Sequence, residues 1–220
     1  MTQTAPYTTD TSDMLIPHGL FRSAFATASG IVDGVRSDDA AHVDAVHSYF
    51  DNVLRFLDAH HGGEDAILWP ALTERCSEAR DLIGRMETEH ATVHRRREEA
   101  GEALAAWYSA PSAASGRALV TALTDLWTEL GKHLGEEETE ILPLASRNMS
   151  PEEWGALPGH AMAHFTGDKI WLVLGLVFEQ MTPEQLAFTF ALLPPPVVEM
   201  WHGSGRAAFD EFIATVRQAA

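Results

Sequence analysis

Two segments of this sequence repeat a set of side chains suited to holding metal ions. His60 to Pro70 reads HHGGEDAILWP, and His133 to Pro143 reads HLGEEETEILP. Each opens on a histidine, has a glutamate four residues later and closes on an Ile-Leu-Pro-like end. A histidine also lies well upstream of each block: His18 before His60 and His90 before His133. A two-helix unit therefore occurs twice, offset by 72 or 73 residues, and a repeat of that kind fixes architecture. On a helix, residues i and i+4 lie on one face a turn apart. His60 with Glu64, and His133 with Glu137, can then reach one metal pair. His90 and His94 form a third such pair, and His18 adds a single imidazole. Carboxylates can bridge two ions, and imidazole suits iron, zinc or copper. With a solvent-derived oxide also bridging, five imidazoles and two carboxylates leave one position open for a small oxidant.

These residues resemble the hemerythrins and the wider hemerythrin-like (HHE cation-binding) group. The shared pattern is His, then His-x3-Glu, then His-x3-His, then His followed by a carboxylate. The resemblance covers about residues 13 to 147. It implies metal ligands at His18, His60, Glu64, His90, His94, His133 and Glu137. It further implies two iron ions joined by an oxo or hydroxo bridge, with dioxygen, peroxide or nitric oxide as the small-molecule partner. In marine hemerythrins the last carboxylate is an Asp five residues after its His. Here it is Glu137, four after His133, as in the HHE group.

Other placements of the chemistry are weaker. Ferritin-like di-iron proteins use Glu-x-x-His twice, and Glu87-x-x-His90 and Glu199-x-x-His202 fit that spacing. That reading leaves the repeated blocks unexplained and puts His202 just after a triple proline. His61 diverges from His60 by about 100° and is expected at the surface or behind a ligand. His42, about 27 Å from His60 along a helix axis, and His47 are expected in solvent. His160, His164 and His202 are expected to serve as caps, packing or pocket lining rather than as a second metal site. Trp171, Trp201 and the Leu-Val-Leu run read as core or as the face of a homodimer.

The elements that must carry the ligands are helical. Ala, Leu, Glu and Arg dominate long stretches, with Pro and Gly gathered at a few breaks. Four helical segments are expected, over about 13–35, 37–74, 77–108 and 117–147. The second is capped within Ser37-Asp38-Asp39, and a loop of small residues runs from Ser109 to Gly116. The cheapest arrangement is an all-α, up-and-down four-helix bundle. Residues 150–220 then form a helical extension, with helix starts at Ser150-Pro151-Glu152-Glu153 and Thr182-Pro183-Glu184-Gln185 and a break at Pro194-Pro195-Pro196.

Composition narrows the function. In 220 residues the apolar share of 45% supports a packed core, and a net charge of −17 disfavours nucleic acid as a partner. One cysteine, Cys76, excludes an internal disulfide and fits a reducing compartment. The opening MTQTAPYTTDTSD lacks the pattern of a secretory signal, and Ile170 to Phe178 is too short to span a bilayer. A soluble, cytoplasmic protein is expected.

Three classes of function fit a di-iron site: reversible dioxygen binding or sensing, an oxidoreductase acting on dioxygen, peroxide or nitric oxide, and iron storage or regulation. Phe56 and Met86, a turn before His60 and His90, suit an apolar pocket that denies protons to a bound oxidant. Glu129, a turn before His133, is a candidate catalytic acid, and its plainer reading is a residue at the surface or hydrogen-bonded to a ligand histidine. Together with an extension large enough to form a pocket for a small organic substrate, it tilts the expectation toward turnover.

Overall fold

The computed structural model describes residues 7–165 and 170–218. The first six residues of the opening segment discussed above lie outside that range. Among the described residues there is no strand, and no helix is long and apolar enough to cross a membrane. The chain forms an all-α bundle.

The first rod consists of α1 (Leu15–Ala26) and α2 (Ala28–Asp33). They part at Thr27, whose hydroxyl donates back to the Ser23 carbonyl, a bond that competes with the helix ladder. The second rod joins α3 (Ala40–Gly63) to α4 (Trp69–Arg75). Asp39 caps α3 by accepting from the His42 N–H. The third is α5 (Arg80–Ser109), and the fourth joins α6 (Ala113–Glu136) to α7 (Leu142–Asn148). The expected loop from Ser109 to Gly116 is shorter than its composition suggests. Ser112 and Ser115 form a reciprocal capping box, so the helix starts at Ala113.

Within the second and fourth rods one turn is widened to a π-helix, at Glu64–Leu68 and Glu137–Ile141. The Trp69 N–H reaches the Glu64 carbonyl, and the Leu142 N–H reaches the Glu137 carbonyl. Pro70 and Pro143 follow directly. Proline has no N–H to donate, and its ring would strike the carbonyl four residues back. The wider turn absorbs that conflict, and π-bulges of this kind concentrate at functional sites. Both halves of the sequence repeat thus distort at the same register.

Two apolar clusters fill the bundle. One holds Met14, Leu68, Leu72, Ile83, Met86 and Ile141; the other holds Leu20, Leu57, Val93, Leu104, Leu126 and Leu130. Along each rod in turn the chain passes from the first cluster to the second, back, forward and back again. That alternation is the up-and-down topology. The crossing from one cluster to the other falls at His18, His60–Glu64, His90 and His133–Glu137, so a buried polar layer lies between two apolar ones.

The extension packs onto this frame. Helix α8 (Pro151–Trp154) is capped by a Ser150–Glu153 box, and α9 (Ala156–Ala163) lies along α3. Arg75 clamps this corner through two bonds to Glu153, 2.6 and 2.8 Å. Trp154 Nε1 donates to Asp13 at 2.8 Å. Helices α10 (Ile170–Phe178), α11 (Pro183–Leu192), α12 (Pro195–Met200) and α13 (Arg206–Val216) follow, with the expected Thr182–Gln185 box at the start of α11. At Gly175 an added Cβ would stand 2.1 Å from the Phe209 ring, so only glycine lets α10 approach α13 this closely. Leu172, Phe178 and Phe209 belong to the same apolar cluster as Phe50 and Leu57 of the bundle.

Candidate metal centre

The polar layer contains two groups of side chains whose donor atoms lie within 4.8 Å of one another. One comprises His61, Glu64, His90 and His133; the other comprises His18, His60, Glu64 and Glu137. Glu64 belongs to both, and all seven residues are buried. The inventory is again five imidazoles and two carboxylates, with one member different from expectation.

His94 is not brought into either group; its imidazole is 65% exposed and pairs with Glu98 at 3.5 Å. The buried positions of α5 explain why. Ile83, Met86, His90, Val93, Ala100, Leu104 and Trp107 advance by three, four, three, seven, four and three, the step of seven spanning half-buried Arg97, which keeps the seven-residue period of packed helices. The turn after His90 steps by three, to Val93, and leaves His94 outside. The same rhythm places Glu129. On α6 the buried positions run Leu123, Leu126, Leu130 and His133, so Leu130 faces inward one turn before His133. Glu129 is half-buried and stands outside both groups.

His61 takes the vacant role. Its ring is buried and stacks on His90, with centroids 4.1 Å apart at 17°. His60 instead meets His18, centroids 5.3 Å apart. The 100° between adjacent helical residues matches the corner of a four-helix square, so His60 points toward α1 and His61 toward α5. Glu64, one turn on from both, projects between them. His42 is also buried rather than solvated. His47 is half-buried against the Tyr108 ring, 4.0 Å away.

Second partners orient the rings. His18 Nδ1 is 2.6 Å from Glu138, His90 Nδ1 is 2.9 Å from Asp65, and His133 Nδ1 is 3.3 Å from Glu89. A carboxylate on Nδ1 fixes the tautomer and aims the Nε2 lone pair inward, as at many metal-ligating histidines. Asp65 and Glu138 are missing from the expected site. They occupy equivalent positions of the repeat, each directly after its glutamate, and each reaches the histidine of the other half.

The inward-facing atoms lack partners. His18, His60 and His61 Nε2 and all four carboxylate oxygens of Glu64 and Glu137 are buried without a hydrogen bond. Nε2 of His90 faces Nε2 of His133 at 3.1 Å, and in the neutral rings so oriented both present lone pairs. Leaving so many buried acceptors unpaired is costly. A cation removes the cost. Donors about 2.1 Å from one ion and at right angles lie about 3 Å apart. The contacts His60–Glu64 (3.2 Å), His90–Glu64 (3.3 Å) and His18–Glu137 (3.3 Å) have that spacing.

Protonation tells the same story. Burial, reinforced by Glu137, raises Glu64 to about 8. Burial and the charge of His18 push His60 down to about 3, and burial holds His61 well below its ordinary value. Burial opposes charge on His18 and His90, yet Glu137 and Glu138 around the first, and Asp65 and Glu64 around the second, raise each to about 9. The carboxylates of the layer thus favour positive charge at its centre, which bound cations would supply.

The tail histidines stand apart from both groups. The His160 ring lies about 3.5 Å from where a Cβ on Gly63 would be, with His164 beside it, and His202 packs on Phe190. No curated protein and no solved structure matches the chain. A family model described as the hemerythrin HHE cation-binding domain matches residues 10–145, more than half of the chain and the whole polar layer. With the duplicated blocks, the up-and-down bundle and a buried donor set fitted to cations, this chain belongs to the hemerythrin HHE cation-binding family.

Proposed function

We propose that the protein holds two iron ions in this layer, bridged by Glu64 and Glu137, and uses them to bind and react with dioxygen or a related oxidant such as peroxide or nitric oxide. The observation that carries the reading is the set of buried, unpartnered nitrogen and oxygen donors gathered in two groups that share Glu64. His61, His90 and His133 would hold one ion, and His18 and His60 the other. Borderline imidazole nitrogens with carboxylate oxygens suit iron. The ions would supply the electrons for reduction of an oxidant.

With one imidazole fewer, the His18–His60 ion would be the one left with a coordination position for a small molecule. The chain builds an apolar wall there. Phe21 lies 5.4 Å from His60 and 5.7 Å from Phe56, and Phe165 of the extension packs on Phe56 at 6.0 Å. These rings exclude water and offer no proton. Glu138 and Asp65 hold their imidazoles rather than aim at free space.

That wall favours a second reading, reversible binding without turnover, over one that relies on Glu129 as an acid. Anaerobic ferrous protein exposed to dioxygen decides between them by optical spectroscopy. A coloured product that fades on removal of the gas supports binding. Decay to ferric protein with consumption of oxidant supports an oxidoreductase. A spectrum unaffected by dioxygen, peroxide and nitric oxide would overturn the proposal.

A further inference from the structure

A cleft of about 570 Å³ opens between α3 and α5. His61 and His90 line it at depth, and Asp58, Asp65, Glu87, His94 and Arg97 line it nearer the surface. A second cleft of about 540 Å³ adjoins it at Arg97 and carries Asp51, Glu98 and Glu102. His94 bridges the two, lining the inner cleft while pairing with Glu98 of the outer one at 3.5 Å. Arg97 is held at the junction by Asp58, 2.6 Å away. The face presents exposed donors, His94, Asp58 and Asp65 among them, and below them the buried His61, whose Nε2 has no partner.

We propose that the α3–α5 cleft is the entry route for divalent metal ions, with His94 and Asp58 as transient donors between solvent and the His61–His90 pair. The proposal rests on the metal-binding reading above. A hydrated cation sheds water reluctantly, and a path of carboxylate and imidazole donors replaces that water stepwise. Clefts with an excess of one sign of charge also raise the local concentration of the opposite ion, and Asp58, Asp65 and Glu87 outnumber Arg97 here. A neutral gas gains nothing from such a lining. The cleft, moreover, ends at the group richer in imidazole, away from the phenylalanine wall around His60. The route gives His94 a use on the outer side of the very turn that takes it out of the centre.

The test is the rate at which metal-free full-length protein takes up cobalt(II), followed by its visible absorption, with bound metal measured at the end point. In a His94→Ala, Asp58→Asn double variant uptake should slow about tenfold, within the range of electrostatic steering, while the end point stays at two ions. Arg97→Gln, which removes the one cation from the lining, should speed uptake. Both differences should shrink as salt rises. Wild-type rates in the double variant would overturn the route, as would a lower end point, which would make His94 a resident ligand. Failure of the wild type to bind cobalt or iron at all would instead overturn the metal reading itself.

Discussion

The His61 ring lies stacked on His90 at 4.1 Å, while His94, one turn further along the helix of His90, stays in solvent. The pairing predicts opposite outcomes for two substitutions. His61→Ala should lower bound metal and weaken what remains, whereas His94→Ala should leave the equilibrium content at the wild-type level. Elemental analysis of both purified variants reads this directly; the reverse result would restore His94 to the ligand set.

Asp65 and Glu138 touch the centre only through His90 and His18. Removing such a partner typically costs about 10–100-fold in metal affinity. Asp65→Asn and Glu138→Gln should each show a loss of this size in competition with a chelator. Affinities equal to wild type would show that the two acids are merely nearby.

The repeat, the four rods and six of the seven buried donors are legible in the sequence, because His-x3-Glu spacing on a helix has one geometrical meaning. The sixth-to-seventh step is where i,i+4 counting fails. Packed helices advance by three and four alternately, so Val93 and Leu130 take the inward positions that four-residue counting gives to His94 and Glu129. The α5 pattern Ile83, Met86, His90, Val93 carries that signal in the sequence itself. Asp65 and Glu138 also leave a signal, as a second acid in both blocks. The burial of His42 leaves none. Helices more than a hundred residues later pack on α3, and no local pattern encodes such contacts.

The extension is fastened to the bundle by an acid-sensitive clamp. Hydrogen bonds from Arg75 and then from the Ser150 N–H hold Glu153 down to about 2. A carboxyl depressed on folding contributes stability above its unfolded value, near 4.5, and loses it as pH falls toward about 2. The pair is about one-third exposed, so screening limits its worth to about 1 kcal/mol. Glu153→Gln should therefore lower the urea midpoint at pH 7, and the gap to wild type should close between about pH 4.5 and 2. A gap that persists at pH 2 would assign the effect to packing rather than to charge.

The central claim is that Glu64 and Glu137 bridge two ions in the buried layer. Iron per chain, measured in wild type, Glu64→Ala and Glu137→Ala after identical anaerobic ferrous loading, tests it most directly. About two ions are expected in the wild type and a sharp loss in both variants, with His202→Ala unchanged. Iron content that is the same in wild type and both glutamate variants would contradict it.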